Sequence, residues 1–313
     1  MLKRGERELI KFFLKRLFSA VFTLFLISTL TFFLMKAIPG GPFSTNEKLS
    51  DQVRESLEEK YHLNDPIQKQ YLDYMGRLLK GDLGPSFARP GVEVNELMKQ
   101  GFPLSASIGG YAVIMVLLIG IPMGIIAAIK QNKIPDYAIS ILSTLGVCIP
   151  GFVLATLFIF FFCFKLNILP SHGLDTWKHY IGPVIALGGF SLAFVTRLTR
   201  SSMLEVMQQD YIRTARAKGL PESVVIFKHG LRNALIPVVT YIGPTVAAIL
   251  TGSFVVEKIF AIPGMGKHFT ESVGNRDYTT LMGATIVFSI FYLVMILIVD
   301  VLYVVIDPRI KFD

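Results

Sequence analysis

Long stretches without charged residues alternate with short charged ones along the 313-residue chain. Runs free of Asp, Glu, Lys and Arg lie at 17–35, 100–129, 137–164, 179–196, 233–256 and 278–299. Because a helix rises ~1.5 Å per residue, about 20 residues cross a hydrocarbon core of ~30 Å. Five runs meet that length, and the shorter run 179–196 is needed to bring both termini to one side. The pattern predicts an all-α integral membrane protein with six transmembrane helices.

The charges between the runs predict how these helices are oriented. Six basic and two acidic residues precede residue 17, and seven basic but only three acidic residues lie in 197–236. The links 165–180 and 257–277 are nearly neutral, and 36–99 carries nine basic and ten acidic residues. Cytoplasmic loops carry the excess of Lys and Arg. We therefore expect both termini and the segment 197–236 on the cytoplasmic side.

These spans divide the chain into four predicted parts. They are a cytoplasmic N-terminus with the first span (1–40), an extracytoplasmic helical link (41–100), a five-helix core (101–306) and a cytoplasmic tail (307–313). Within the link, apolar and aromatic residues recur at helical spacing in two places, Leu49, Val53, Leu57 and Tyr61, then Ile67, Tyr71, Tyr74 and Leu78. We expect two amphipathic helices that cap the outer end of the bundle, a position compatible with docking of an outside partner.

Composition and motifs then exclude several functions. The chain is 52% hydrophobic and 17% charged, and its net charge of +8 follows from the loop asymmetry, so no nucleic-acid partner is predicted. All five histidines lie in the links, His179 at the end of 165–180, and none forms a zinc-ligand spacing, so no catalytic or metal site is predicted. Spans this poor in charge disfavour an ion-driven carrier.

Residues 261–268 resemble part of a phosphate-binding loop. Ala261 replaces the first glycine of that motif, however, and His268 replaces its final Ser or Thr. If ATP powers this protein, we therefore expect another chain to bind the ATP.

The basic cytoplasmic segment is predicted to contain two helices joined by a sharp turn. Good helix formers dominate 197–218, and Gly219 is expected to end that helix. Pro221 and Glu222 suit the first turn of a second, short helix. Pro237 is expected to mark where the fifth span begins.

The second helix carries an apolar row and a basic row. The apolar row consists of Val224, Phe227 and Leu231, and the basic row consists of Lys228, His229 and Arg232. Two roles suit such a helix. It could rest on anionic membrane lipid, or it could fit into a groove of a cytoplasmic protein.

This segment resembles the Glu-Ala-Ala loop of ATP-binding-cassette importer permeases. Ala215 and Gly219 match the general pattern, whereas Arg213 and Thr214 depart from it. The versions YIRTARAKGL and KHGLRNALIP are similar to the dipeptide and oligopeptide branch of that family. Further stretches similar to that branch, in the same order, are AIPGGPF (37–43), KGDLGPSF (80–87), FAIPGMGKHF (260–269), NRDY (275–278) and DPR (307–309). Gly41 stands where the branch more often has Asp.

The resemblance implies a type I importer permease in a bacterial or archaeal cytoplasmic membrane, without enzymatic activity. A second, homologous permease would complete the pathway, and an extracytoplasmic peptide-binding protein would deliver the substrate. Two cytoplasmic ATPases would bind ATP and Mg²⁺, so no cofactor is expected in this chain. The residues expected to couple it to the ATPases are Ala215, Gly219, Leu220, Pro221, Glu222, Val224, Phe227, Lys228, His229 and Arg232. The sequence assigns no residue to the substrate path.

Two alternatives stay open at this point. Related permeases with the same motifs import nickel or other chelated solutes. An ATP-independent channel or a membrane scaffold would also satisfy the six predicted spans.

Overall fold

The computed structural model describes residues 2–43, 51–250 and 252–306. Within these ranges the chain is helical and has no β-strand beyond one isolated bridge, which confirms the predicted all-α class. The helices are α1 (Leu2–Ala37), α2 (Asp51–Lys60), α3 (Ile67–Leu79), α4 (Val94–Ile129), α5 (Ile134–Cys148), α6 (Gly151–Lys165), α7 (Trp177–Met207), α8 (Asp210–Ala217), α9 (Glu222–Leu250), α10 (Phe254–Ile259), α11 (Met265–Gly274) and α12 (Tyr278–Ile306). The predicted tail 307–313, with its DPR motif, and Leu49 lie outside the described residues.

Five of these helices are long and apolar enough to cross a membrane. They are α4, α7, α9, the part of α1 at Phe13–Ala37 and the part of α12 at Tyr278–Asp300. The sixth predicted span is not one straight helix, because α5 and α6 meet at an angle of 108°. Pro150 has no amide hydrogen and disfavours a helical conformation at the residue before it. Ile149 is accordingly extended, at φ −86° and ψ 119°.

The described residues form two compact units. The first comprises residues within Met1–Leu104 and Pro263–Leu293, and the second comprises residues within Ser105–Ile262 and Val294–Ile310. In the first unit, α3 turns two aromatic side chains toward α1. Phe32 stacks on Tyr74 and meets Tyr71 edge-on, with ring centroids 5.5 and 5.4 Å apart. The helices α2 and α3 thus confirm the two predicted in the link, and the aromatic spacing of α3 forms its contact face.

A buried carboxylate joins two loops of the first unit. Asp277 accepts hydrogen bonds from the hydroxyl of Ser86 and from the backbone amide of Phe87 at 3.0 Å. It also accepts one from the amide of Thr280 at 3.2 Å and one from its hydroxyl at 2.7 Å. Burial would raise the pKa of Asp277, but these hydrogen bonds outweigh it and hold the pKa below its usual value.

Neighbouring side chains extend this junction. Arg276 donates a hydrogen bond to the carbonyl of Pro39 at 2.8 Å, and Thr279 donates one to the carbonyl of Pro85 at 2.6 Å. The stretches 37–43, 80–87 and 275–278, which carry part of the family resemblance, are thereby brought together in space.

In the second unit, α7 is the central helix and packs against α4, α5, α6 and α9. Its contact with α4 needs a glycine. A Cβ added to Gly124 would lie 2.5 Å from the Cβ of Thr199 and 2.6 Å from the carbonyl oxygen of Thr196. Small residues allow membrane helices to approach closely. Gly124 therefore serves close packing and not a kink.

Candidate functional site

The predicted cytoplasmic segment begins with a break that the sequence reasoning missed. Helix α7 ends at Met207 and α8 begins at Asp210, so the single helix expected over 197–218 is wrong. Gln209 interrupts it with an extended conformation, at φ −71° and ψ 150°. Asp210 then falls in the first turn of α8, where an acidic side chain favours the positive end of the helix dipole.

The turn after α8 is a Schellman motif centred on Gly219. The amide of Gly219 donates to the carbonyl of Arg216 at 2.9 Å, and the amide of Leu220 donates to the carbonyl of Ala215 at 3.4 Å. This bonding pattern satisfies the last carbonyl groups of a helix and requires a residue in the left-handed backbone conformation. Gly219 has φ +76°, and a Cβ placed there would meet nothing within 4 Å. Its backbone conformation, and not a lack of space, therefore favours glycine here.

An ion pair spans this turn. Arg216 donates two hydrogen bonds to Glu222, from Nη2 to Oε1 at 2.7 Å and from Nε to Oε2 at 3.2 Å. The hydrogen bonds to Glu222 raise the pKa of Arg216. Sequence reasoning singled out Glu222 but not Arg216. The six-residue separation crosses a turn, so no helical periodicity could have revealed the pair.

One side of the segment is firmly packed. Ile212, Ala215 and Val225 are buried against one another and against Met207. Ile226 is buried in a neighbouring cluster with Met203, Ala234 and Ala128. The hydroxyl of Tyr211 accepts a hydrogen bond from Asn233 at 2.8 Å, which ties α8 to α9. These contacts hold the segment in one position on the second unit.

The helix after the turn differs from the predicted short, separate one. Helical structure runs without a break from Glu222 to Leu250, and Pro237 lies inside it. The stretch Val225–Gly230 is π-helical, and a π-helix shifts the phase of the side chains. The buried pair is consequently Val225 and Ile226, whereas Phe227 is 57% exposed.

The ten residues expected to couple the chain to ATPases therefore differ in exposure. Ala215 is buried, and Val224 and His229 are half-buried. The exposed ones are Gly219, Leu220, Pro221, Glu222, Phe227, Lys228 and Arg232. Leu220, Phe227 and Lys228 thus leave two apolar side chains and one cation exposed.

A second ion pair lies in the same unit and joins α7 to α5. Arg200 of α7 donates to Asp136 of α5, from Nε to Oδ1 at 2.5 Å and from Nη2 to Oδ2 at 2.8 Å. The amide of Asn132 also donates to Asp136 at 2.9 Å. The Asp136 side chain is only 3% exposed. The sequence analysis counted Arg200 among the charges of 197–236, but it could not predict a partner that lies 64 positions away along the chain.

The described part of the chain holds no group of three or more His, Cys, Asp or Glu side chains that could bind a metal ion. The candidate functional site is instead the segment around Gly219, which is packed through Ile212 and Val225 and leaves Phe227 exposed.

Comparisons with known proteins agree with this architecture. Residues 120–312 match the model of the family described as binding-protein-dependent transport system inner membrane component. Residues 9–108 match the N-terminal model of the membrane component of such systems.

Individual relatives align over nearly the whole chain. The dipeptide transport system permease protein DppB of Bacillus subtilis is 46% identical over 301 residues, covering 96% of this chain and 98% of the relative. The oligopeptide transport system permease protein OppB of Salmonella typhimurium is 43% identical over 306 residues, covering 97% and 100%. The DppB protein of Lactococcus lactis is 43% identical over 303 residues, covering 97% and 100%. The chain therefore belongs to the family of binding-protein-dependent transport system inner membrane components.

Proposed function

We propose that this chain is a permease subunit of an ATP-driven importer of peptides. The observation that carries the proposal is its identity of 43–46% with permeases of dipeptide and oligopeptide transport systems, which extends over 96–97% of this chain. The five continuous membrane-crossing helices and the bent pair α5–α6 suit a subunit that forms half of a pathway. A second, homologous permease would form the other half, and an extracytoplasmic binding protein would deliver the peptide.

The segment 210–232 is proposed to receive the movement of cytoplasmic ATPases, which bind ATP and Mg²⁺ in place of this chain. Its exposed Leu220 and Phe227 suit an apolar groove, and Lys228 adds a charge at the rim of that contact. An amphipathic helix docked in a groove is a common mode of recognition between proteins. Membrane lipid would contact the neighbouring apolar helices and not this surface.

Two features support transmission of the movement into the membrane. The Schellman turn and the pair Arg216–Glu222 hold α8 and the start of α9 at a set angle. Because helical structure continues from Glu222 to Leu250, a displacement at Phe227 is carried along the whole of α9. The ATPases would in this way reorient the pathway without binding the substrate.

The test is uptake by cells that lack this chain. We expect deletion to abolish growth on a peptide as sole source of a required amino acid, and expression of the intact chain to restore it. Nickel uptake measured in parallel separates the chelated-solute alternative. Normal peptide growth after deletion would refute the proposal. Copurification with an ATPase is expected as well, and a chain that transports without one would favour a channel.

A further inference from the structure

A groove lined by both polar and apolar side chains lies between α5 and α7 in the second unit. It has a volume of 490 Å³, within the ~300–1,000 Å³ typical of small-molecule sites. Helix α5 contributes Ser140, Thr144 and Val147 at successive turns. Helix α7 contributes Phe194, Arg197 and Ser201. Hydroxyl groups and a guanidinium thus line a cleft between two helices that belong to membrane-crossing spans.

The hydroxyl oxygens of Thr144 and Ser201 in this groove are available to accept hydrogen bonds. Thr144 donates to the carbonyl of Ser140 at 2.8 Å, and Ser201 donates to the carbonyl of Leu198 at 3.0 Å. A hydroxyl that donates its hydrogen to a carbonyl of its own helix still has two lone pairs that can accept hydrogen bonds. No donor in the described part of the chain occupies the lone pairs of Thr144 and Ser201. These two hydroxyls can therefore accept hydrogen bonds from N–H groups of a ligand.

Arg197 and Arg200 both line the groove but differ in their ion pairing. Arg200 is neutralised by Asp136 through two hydrogen bonds. Arg197 lies one turn earlier on α7, is exposed, and forms no ion pair with any acidic side chain that the structure describes. Arg197 is the first charged residue after the apolar run 179–196, so the groove that it lines lies at the end of a span. The groove is therefore complementary to a ligand that carries both an anionic group and N–H donors.

We propose that Arg197 binds the C-terminal carboxylate of a peptide in transit, while the hydroxyls of Thr144 and Ser201 accept hydrogen bonds from its backbone. Every linear peptide with a free C-terminus offers that combination whatever its sequence, so the site needs no side-chain selectivity. Phe194, stacked on Tyr241 with ring centroids 4.2 Å apart, gives the groove an apolar edge for side chains. The inference rests on the proposed peptide substrate and adds to it a residue of the substrate path.

The test uses the complete importer in liposomes, supplied with its binding protein and ATP. Uptake of one peptide is compared between its free-acid form and its C-terminal amide, each at a concentration that saturates the binding protein. The variants are Arg197→Gln and Arg197→Lys. Lys133→Gln is the matched control, because Lys133 is an exposed cation just before α5 and outside the groove. Assembly is checked by recovery of the intact complex.

We expect Arg197→Gln to lower uptake of the free acid about tenfold and to leave uptake of the amide within about twofold, as loss of one charge-assisted contact predicts. Arg197→Lys should retain part of the preference for the acid, and Lys133→Gln all of it. Equal loss of both peptide forms, or no loss, would overturn the inference.

Two further outcomes identify other causes. A defect that follows the anionic lipid content of the liposomes and ignores the peptide's C-terminus would assign Arg197 to a lipid headgroup and overturn the inference. Failure of the unaltered complex to transport either peptide form would instead overturn the proposed function itself.

Discussion

The guanidinium of Arg200 donates two hydrogen bonds to the carboxylate of Asp136 and so fastens the central helix α7 to the start of α5. The pair is largely enclosed, with 3% of the Asp136 side chain and 28% of the Arg200 side chain exposed. Removing one partner of such a pair leaves the other charge without compensation. Loss of one partner alone is therefore expected to cost more stability than neutralising both partners together.

We predict that Arg200→Ala destabilises the protein by about 3–5 kcal/mol, the range for breaking a buried ion pair. The neutral double variant Asp136→Asn with Arg200→Gln should be less destabilised than Arg200→Ala, because it leaves no buried charge. Thermal unfolding of the purified complex in detergent measures both. Lys133→Gln serves as the exposed control. A double variant no better than Arg200→Ala would show that charge compensation is not the cause.

Substitutions of Gly219 separate backbone conformation from space. A Cβ at this position meets nothing within 4 Å, so the cost of Gly219→Ala should come from the left-handed backbone alone, about 1 kcal/mol. Asn tolerates this conformation better than Ala, and Val tolerates it worse. We predict that peptide uptake falls in the order Gly, Asn, Ala, Val at equal amounts of inserted protein. Equal uptake by the Asn and Val variants would contradict a role for the turn geometry.

Gly124 and Gly110 are both in α4 but should respond oppositely to a methyl group. Gly124→Ala places its Cβ 2.5 Å from the Cβ of Thr199, whereas Gly110 has nothing within 4 Å. We predict a loss of about 1–3 kcal/mol for Gly124→Ala, as for other overpacked sites. Gly110→Ala should be neutral or slightly stabilising. Thermal unfolding of the two variants side by side decides this, and similar losses would argue against a packing role for Gly124.

Hydrophobic runs predicted the membrane-crossing helices well because their length follows from the thickness of the membrane, whereas the orientation expected from the charge asymmetry stays a prediction. The spans at 100–129 and 278–299 correspond closely to parts of α4 and α12. The bend after Cys148 was not predicted, because Pro150 inside an apolar run is compatible with either a kink or a break. An uninterrupted apolar run in the sequence does not show whether the helical structure within it is straight or bent.

The helix end at Gly219 was predicted from the sequence, but the detailed structure around it was not. Gly219 was correctly interpreted as a helix end, since few residues other than glycine adopt φ +76°. The exposure of Phe227 could not be foreseen, because a period of 3.6 residues was assumed and the structure has a π-helix at Val225–Gly230. Arg216–Glu222 and Arg200–Asp136 depend on how the chain folds back, which spacing along the sequence does not encode.

Asp277 predicts a pH dependence of the first unit. Its folded pKa lies below the unfolded value of ~3.9, so its stabilisation is complete above that value and is lost as the pH falls through the folded pKa. We predict that Asp277→Asn lowers stability at pH 7 by about 1–3 kcal/mol, because Ser86 and Phe87 lose an ionised acceptor. The difference between the unaltered protein and the variant should shrink as the pH is lowered below ~4.

The measurement is thermal unfolding of both proteins between pH 7 and pH 3. Asp73→Asn is the control, because Asp73 is an exposed carboxylate of α3 in the same unit. That variant should follow the unaltered protein at every pH. Should the gap between the unaltered protein and Asp277→Asn stay constant down to pH 3, the ionised form of Asp277 would not be the stabilising one. The junction of 80–87 with 275–278 would then depend on shape and neutral hydrogen bonds alone.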